Sequence, residues 1–476
     1  MDSFFWHDYE TWGVNPALDW PSQFAGVRTD ADLNVIDEPV NIQCRIPSDY
    51  VPSLAAAQIT GLLPQDVHSN GLPEYQFFAQ IYAQLAQAGT CGVGYNSIRF
   101  DDEVTRYGLY RNFYDPYGRE WQAGCSRWDI VDMVRLCYAV RPDGIEWPTR
   151  EDDGGNVVPS LRLEKICELN GIQHEQAHDA LSDVYATIAL AKKIKNLHPK
   201  LYDFALAMRS KHRVSEELGL GSGQSRLHIS SRFGAINGNA SLILPVVIDP
   251  INKNEVHCID LRYSPEPLLS LSAEELNKLR FTAINDLPKG IERIPLKSVH
   301  INKSAIVATP KLVDDGVQSR CGIDLQQCEE HRLMLLKDKG LAAKLVEMSR
   351  LKTFPQQDQP EEAQLYRGFI GRDDRQLCQR ITGLDGERLA SESFVFRDAR
   401  LGPMLFNYRA RNFLETLNDE EQQQWSEHVA HQIQVFYKDR LESEIRACEV
   451  QLEHEVDKNR NVFIQKFRDH LQSLLN

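Results

Sequence analysis

Two carboxylates stand two residues apart in an apolar segment near the amino terminus. Asp8 and Glu10 directly follow the run Phe-Phe-Trp-His at residues 4–7, and such a run predicts a buried β-strand. On a strand, residues i and i+2 face the same side, so these side chains lie together. A divalent cation relieves the repulsion between paired carboxylates, and Mg²⁺ prefers such hard oxygen ligands. The alternative for this pair alone is a solvated strand face that needs no ion.

A third carboxylate, Asp101, lies where a second predicted strand gives way to a helix. The short apolar run ends in glycines at 92 and 94, and an amphipathic stretch with Val104 and Leu109 follows. The pattern predicts strand, loop and helix, with Asp101 near the helix start. Acidic residues commonly occupy helix amino termini, so simple capping is the alternative interpretation of Asp101.

His178 and Asp183 lie in the segment 174–187, which leads into a strongly helical run at residues 188–191. On one helix, five steps of 100° would leave the two side chains about 140° apart, on different faces. The sequence therefore favours His178 in the loop before the helix and Asp183 inside it, where both can reach one centre. The alternatives are an exposed loop histidine and a solvated helix position.

The ordered motifs Asp-x-Glu, Asn-x-x-x-Phe-Asp and His-x-x-x-x-Asp resemble those of the DEDD-type 3′ to 5′ exonucleases of the histidine subclass. Further segments resemble the bacterial exodeoxyribonuclease I family nearly from end to end. They are residues 8–13, 59–61, 100–106, 114–117, 126–129, 161–164, 300–303 and 406–413. The resemblance implies an α/β ribonuclease H-like exonuclease domain, an SH3-like β-barrel domain and a mainly α-helical C-terminal domain.

The resemblance also implies the reaction. It is processive 3′ to 5′ degradation of single-stranded DNA to 5′-mononucleotides, in DNA repair and recombination. Asp8, Glu10, Asp101 and Asp183 would hold two Mg²⁺ ions, with Mn²⁺ as a substitute, in the manner of two-metal phosphodiester hydrolysis. His178 would accept the proton of the attacking water, because imidazole has a reference pKa of about 6.5.

Further positions match residues that contact the substrate strand in the family. They are Glu10, Arg162, Arg106, Tyr117, Trp121, Arg135 and Lys303. Arg162 would contact the terminal nucleotide or its phosphate, and an exposed helix arginine is the alternative. Tyr117 and Trp121 would stack on bases, with core packing as the alternative. Residues 407–411 would add phosphate contacts, with ordinary helix or loop surface as the alternative, whereas residues 233–239 lack the aromatic and basic pair expected in the barrel.

Arg141 matches a residue that binds a partner in the family. The partner is the single-stranded DNA-binding protein, whose acidic tail ends in a phenylalanine and needs an arginine for its carboxylate. The alternative is that Arg141 ends the helix predicted over residues 131–140, where the helix dipole favours a cation.

The amino-acid composition of the chain limits which of these interpretations are possible. The 476 residues contain 42% hydrophobic residues, enough for two or three domains with a sizeable core. A net charge of −15 opposes phosphate binding unless arginines and lysines converge locally. The ten cysteines form no Cys-x-x-Cys pair, and no run of about 20 apolar residues occurs. A protein of the reducing cytoplasm is therefore the expectation. We further expect a monomer.

Changes in pattern divide the chain into three predicted domains, at residues 1–197, 198–352 and 353–476. The first alternates short apolar runs with helical stretches, the second contains several strand-like runs, and the third follows a polar segment at 354–360 and is mainly helical. Two other functions stay open. One is a DEDD exoribonuclease or proofreading subunit, and the other is a non-catalytic module that binds single strands.

Overall fold

The computed structural model describes residues 3–174, 179–280, 282, 286–287, 294–352 and 359–475. The chain forms two compact units. The first comprises Met1–Ser126, Glu175–Tyr185 and Asp358–Asn476, and the second comprises Arg127–His174 and Ala186–Gln357. The amino-terminal strands therefore share a unit with the C-terminal helices. Most of the linker predicted at 354–360 lies outside the described residues, and the domain boundaries at 197 and 352 stay predictions.

A β-sheet forms the centre of the first unit. Its strands are β1 (Ser3–Thr11), β2 (Pro21–Thr29), β3 (Val40–Gln43) and β4 (Thr90–Gly94). They run in the order β3-β2-β1-β4, with β1 antiparallel to β2 and parallel to β4. All nine residues of β2 are buried. The predicted amino-terminal strand is confirmed as β1, and it lies inside the sheet.

Four helices accompany these strands. They are α1 (Leu54–Thr60), α2 (Pro64–Asn70), α3 (Glu74–Leu85) and α4 (Asp101–Arg111). Helix α3 is one of the predicted helical stretches of the first domain, and it buries Phe78, Ile81 and Leu85. Gly108 allows α4 to approach α3 closely, because a Cβ atom there would lie 1.8 Å from the Phe78 ring. The contact sets the position of α4 against the sheet.

The second unit contains the remaining strands and most of the middle helices. They are β5 (Ser126–Asp129), α5 (Ile130–Val140), β6 (Thr149–Glu151), β7 (Val157–Pro159), α6 (Leu163–Leu169), α7 (Ala180–Leu197), α8 (Pro199–Ala207), α9 (Lys211–Leu218), β8 (Arg226–Ile229), β9 (Ala240–Ile248), β10 (Glu255–Asp260), α10 (Glu266–Ser270), α11 (Ala273–Arg280), β11 (Leu296–His300), β12 (Val307–Ala308), α12 (Asp315–Cys321), α13 (Leu325–Lys337) and α14 (Leu341–Arg350). Helix α7 begins in the first unit and continues into the second. Strands β8 to β12 form an antiparallel sheet in the order β11-β10-β9-β8-β12. The predicted barrel strands are thereby confirmed.

Helices make up most of the C-terminal region. They are α15 (Arg372–Ile381), α16 (Gly386–Ser391), α17 (Leu401–Asn412), α18 (Asp419–His431), α19 (Lys438–His454) and α20 (Lys458–Ser473), with a π-helical turn at Gln432–Phe436. The predicted helical character is confirmed. The segment 441–475, however, is divided between α19 and α20, and Asp457 caps α20 by accepting hydrogen bonds from the Asn459 and Arg460 amides.

The hydrophobic core of the first unit joins residues from both ends of the chain. Trp12 and Tyr50 pack in one cluster with Ile433 and Phe467 of the C-terminal region. A second cluster combines Tyr107 and Tyr110 of α4 with Ile381, Met404 and other C-terminal residues. Among the described residues, no helix has both the length and the apolar character that a bilayer crossing requires.

Candidate active site

Strand β1 presents two carboxylates on one face. Asp8 and Glu10 are partly exposed, whereas Tyr9 between them is buried. The Tyr9 ring packs on Phe24 of β2 with centroids 4.7 Å apart. Because alternate side chains on a strand point to opposite faces, burial of Tyr9 directs both carboxylates to the other side. Glu10 stands opposite Gln23 in the antiparallel pairing with β2.

Helix α4 supplies the third carboxylate. Asp101 is its first residue and is only 5% exposed, while the N-cap position belongs to Phe100. The Tyr9 amide donates a hydrogen bond to Asp101 Oδ1 over 3.2 Å. The Thr105 hydroxyl donates to the Asp101 carbonyl over 2.8 Å. Asp101 is thus fixed beside β1, and a negative charge in the first turn suits the helix dipole.

The first turn of α7 supplies the fourth carboxylate, that of Asp183. Asp183 lies inside the helix, as predicted, and its amide donates to the Asp179 carbonyl over 3.0 Å. The Asp179 side chain accepts hydrogen bonds from the Ser182 amide and from Gln23 Nε2, both over 3.1 Å. Sequence analysis missed Asp179, although an aspartate just before a helical run is an N-cap signal. Asp179 ties the start of α7 to β2.

Three of these carboxylates converge. One oxygen each of Asp8, Glu10 and Asp183 lies within 4.8 Å of the others. Burial, followed by repulsion from Asp101, Glu10 and Asp183, raises the pKa of Asp8 well above its usual value. Burial and the charges of Asp183, Asp101 and Asp179 raise the pKa of Glu10 to about 8. The site therefore concentrates more negative charge than neighbouring protein groups neutralise.

This donor set fits a divalent metal. Several carboxylate oxygens at short mutual distance, with pKa values raised by their mutual repulsion, are what a hard cation neutralises. Asp101 contributes a further carboxylate, oriented by the Tyr9 amide. The structure thus joins Asp8, Glu10, Asp101 and Asp183 from β1, α4 and α7 into one site, although 175 residues separate the first from the last.

Two further residues, His178 and Arg162, are predicted to act in the reaction. His178 lies outside the described residues, two positions before the first residue of α7. Arg162 is exposed and occupies the N-cap position of α6 with extended backbone angles. Their roles in catalysis and in binding the terminal nucleotide stay predictions.

The predicted strand contacts of the first unit have different surroundings. Trp121 is 67% exposed. Tyr117 is half-buried, and its ring lies 5.9 Å from the ring of Phe369. Arg106 is buried, and its guanidinium binds the Glu120 carboxylate through Nε and Nη2 over 2.7 and 2.8 Å. A phosphate contact by Arg106 would require it to leave these partners.

The predicted contacts of the second unit are surface or half-buried residues. Arg135 forms an ion pair with Asp132 of the preceding turn over 2.5 Å. Lys303 is half-buried and follows β11. Arg141 is exposed and forms the C-cap of α5, its amide donating to the Cys137 carbonyl over 2.8 Å. Arg141 therefore does end the helix, as the alternative interpretation held, and its partner role stays a prediction.

The basic run at 407–411 is not ordinary helix surface. It lies on α17, where Arg411 is buried between Asp49 and Glu362, with 2.6 Å from Nη2 to Asp49 Oδ2. Arg409 pairs with Glu421 over 2.6 Å. Arg411 thus has carboxylate partners far away in sequence, which local patterns do not reveal.

Comparison with known proteins assigns the whole chain. Residues 5–191 match the family model described as Exonuclease, residues 209–349 the Exonuclease I SH3-like domain, and residues 359–474 the Exonuclease I C-terminal domain. Exodeoxyribonuclease I of Haemophilus influenzae is 41% identical over 434 residues, 91% of each chain. That of Escherichia coli is 42% identical over 429 residues, 90% of this chain and 89% of its own.

The fold matches as well. The crystal structure of Escherichia coli Exonuclease I in complex with a dA16 oligonucleotide has a TM-score of 0.94 and 38% identity, and each chain is covered completely. The three family models follow one another along the chain and together match nearly all residues between 5 and 474. The protein is thus a nuclease of the hydrolase class, and its chain belongs to the exodeoxyribonuclease I family.

Proposed function

We propose that this protein removes 5′-mononucleotides processively from the 3′ end of single-stranded DNA. The observation that carries the proposal is the convergence of Asp8, Glu10 and Asp183, with carboxylate oxygens within 4.8 Å, beside Asp101. The related Escherichia coli enzyme was crystallised with a single-stranded oligonucleotide, which supports DNA as the substrate. An intact carboxylate set argues against a purely binding role, because binding alone does not need it.

Asp8, Glu10, Asp101 and Asp183 would hold two Mg²⁺ ions. When bound, such ions lower the pKa of a water nucleophile and stabilise the charge on the leaving oxygen. The protein's own contribution is orientation. The Tyr9 amide holds the Asp101 carboxylate, and Asp179 holds the first turn of α7 that carries Asp183. Rigid elements position catalytic groups more accurately than loops do.

His178 would accept the proton of the attacking water. In the sequence it precedes Asp183, which lies in the first turn of α7, by five residues. A neutral imidazole near pH 7 is suited to this transfer, whereas metal-bound carboxylates are occupied by their ions. Replacing His178 therefore reduces turnover more than metal binding.

The strand would be held by stacking and by phosphate contacts. Trp121 exposes two thirds of its surface, and Tyr117 lies beside the highly exposed Phe369. Stacking on such rings tolerates every base and allows sliding, which suits a processive enzyme. Glu10 and Arg162 are assigned to the terminal nucleotide, Arg135 and Lys303 to phosphates. Arg106 can join them only by breaking its ion pairs.

The remaining assignments follow the family pattern. The domains would be residues 1–197, 198–352 and 353–476, and the enzyme would act as a cytoplasmic monomer in DNA repair and recombination. Arg141 would bind the carboxylate-ended tail of the single-stranded DNA-binding protein. Its exposure at the end of α5 supports this role.

The test uses 5′-labelled single-stranded DNA, the corresponding duplex and the corresponding RNA, each with Mg²⁺ or with EDTA. Wild type, Asp183→Asn and His178→Ala are compared, and Mn²⁺ replaces Mg²⁺ in a parallel series. The expected result is 3′ shortening of single-stranded DNA alone, abolished by EDTA and by Asp183→Asn. His178→Ala should lower kcat by about 10² to 10⁴.

Two results would contradict the proposal. Preferential shortening of the RNA would assign the protein to the exoribonucleases, since only RNA carries a 2′-hydroxyl. Tight binding of single-stranded DNA without metal-dependent cleavage would identify a binding module.

A further inference from the structure

A charged network surrounds the first two turns of α4. Glu103 and Arg106 lie one turn apart on this helix, and Arg106 Nη1 donates to Glu103 Oε1 over 2.7 Å. The Nε and Nη2 atoms of Arg106 each donate a hydrogen bond to one oxygen of the Glu120 carboxylate, which makes this pair bidentate. Bidentate arginine–carboxylate pairs fix geometry as well as adding energy. The side chains of Arg106 and Glu120 are only 7% and 10% exposed.

A second buried ion pair holds the first turn of α4. Arg119 Nη2 binds Asp102 Oδ1 over 2.7 Å, and both side chains are at most 2% exposed. Arg119 and Glu120 are consecutive residues, so one short segment holds α4 through Asp102 and through Arg106. Asp102 directly follows Asp101, the carboxylate that the Tyr9 amide orients. Any shift of this turn therefore moves Asp101 relative to β1.

The C-terminal region closes the network through one hydroxyl. Tyr366 lies in a 3₁₀ turn, Leu365–Arg367, more than 250 residues after α4. Its hydroxyl accepts a hydrogen bond from Arg106 Nη1 over 2.9 Å and donates one to Glu103 Oε2. Its ring meets the ring of Tyr107 edge-on, with centroids 5.9 Å apart. The hydroxyl thus bridges Glu103 in the first turn of α4 and Arg106 in the second.

We propose that Tyr366 is a positioning residue of the nuclease, which keeps Asp101 in register with Asp8 and Glu10 by locking Glu103 and Arg106 of the same helix. The inference rests on the proposed reaction at Asp101. It gives the C-terminal region a part in the chemical step in addition to any part in holding the strand. Without the Tyr366 hydroxyl, Glu103 loses a hydrogen-bond donor and Arg106 loses a hydrogen-bond acceptor. The first turn of α4, which begins with Asp101, is then held less rigidly.

The substitution that isolates this effect is Tyr366→Phe. It removes one oxygen atom and keeps the ring that packs on Tyr107, while Arg106 retains both carboxylates. The fold should therefore persist. Because the substitution removes the hydrogen bonds of only one hydroxyl, Tm should stay within a few degrees of the wild-type value. Tyr263→Phe is the matched control, because Tyr263 is a 45% exposed tyrosine of the second unit.

Steady-state hydrolysis of single-stranded DNA and the Mg²⁺ dependence of the rate are measured for wild type, both variants and Glu103→Gln. Tyr366→Phe should lower kcat about tenfold, as loss of support behind a metal ligand typically does, with KM within about twofold. It should raise the Mg²⁺ concentration for half-maximal rate, and its effect should not add to that of Glu103→Gln. Tyr263→Phe should match wild type.

Three outcomes have separate meanings. An inactive wild type would overturn the proposed function itself. An active wild type with an equally active Tyr366→Phe would overturn only the positioning role. A Tyr366→Phe effect confined to KM would also overturn it, because Tyr366 would then act as a strand contact.

Discussion

The backbone amide of Tyr9 donates a hydrogen bond of 3.2 Å to Asp101 Oδ1. The donor lies between Asp8 and Glu10 in the sequence and the acceptor is the first residue of α4. One hydrogen bond thereby sets the distance between strand and helix at the site.

Replacing Asp101 by asparagine separates this orienting role from charge. In Asp101→Asn, the amide oxygen still accepts from Tyr9, so we expect Tm to change by no more than about 3 °C. Loss of one carboxylate ligand should reduce kcat at least about 100-fold. Asp203→Asn, an exposed position on α8, is the control and should be fully active. Wild-type activity of Asp101→Asn would contradict the assigned metal role.

Asp179 gives a second prediction, because its side chain accepts hydrogen bonds from the Ser182 amide and from Gln23 Nε2. Asp179→Ala removes the cap of α7, so it should cost about 1 kcal/mol of unfolding free energy. It should also raise the Mg²⁺ requirement about 10- to 100-fold, because the turn that carries Asp183 loses its anchor.

The control for that change is Asp385→Ala. Asp385 caps α16 by accepting from the Arg388 amide over 2.9 Å. It should show a similar loss of stability in urea unfolding and no change in Mg²⁺ requirement. An equal Mg²⁺ requirement in the two variants would show that Asp179 only stabilises the helix.

The metal-free protein should lose stability as pH rises. Burial and neighbouring carboxylates raise the pKa of Glu10 to about 8 in the folded state, whereas the unfolded value is about 4.3. A carboxyl group with a raised folded pKa adds stability that is complete below the unfolded pKa and is lost as pH rises through the folded one. In EDTA, Tm should therefore fall between about pH 5 and pH 8.

Two comparisons check this assignment by thermal unfolding. Glu10→Gln should show a smaller fall in Tm over the same pH range, because the side chain no longer titrates. Added Mg²⁺ should restore Tm most at the upper end of the range, where the carboxylates are free to bind it. A wild-type Tm that does not fall with pH in EDTA would contradict the raised pKa of Glu10.

The buried Arg411 gives a prediction about stability alone. It lies between Asp49 and Glu362, with side chains at most 11% exposed. Although burial raises the pKa of Asp49, Arg411 and His428 hold it well below its usual value. Arg411→Met would remove the arginine that two buried carboxylates share and should cost about 3 to 5 kcal/mol in urea unfolding.

Arg397→Met is the comparison for that change. Arg397 pairs with Asp373 on the surface, with side chains 84% and 59% exposed. Its loss should cost about 0 to 1 kcal/mol. Equal costs for the two substitutions would mean that the Arg411 cluster contributes no more than a surface ion pair.

Local patterns in the chain were sufficient to place the candidate carboxylates on their elements. Period-two alternation puts Asp8 and Glu10 on one face of β1, and the start signals of α4 and α7 put Asp101 and Asp183 in their first turns. These features depend on neighbours a few residues away, which the sequence displays directly. The β-strands of the barrel were predictable for the same reason.

Contacts between residues distant in sequence could be identified only from the folded structure. The family resemblance predicts Arg106 and residues 407–411 as phosphate contacts, and only the fold shows that Arg106 pairs with Glu120 and Arg411 with Asp49. Nor did any pattern reveal that Tyr366 reaches α4, or that the C-terminal helices share a unit with the amino-terminal sheet. Ion pairs and hydrogen bonds across hundreds of residues depend on which surfaces pack together, and packing is a property of the whole fold.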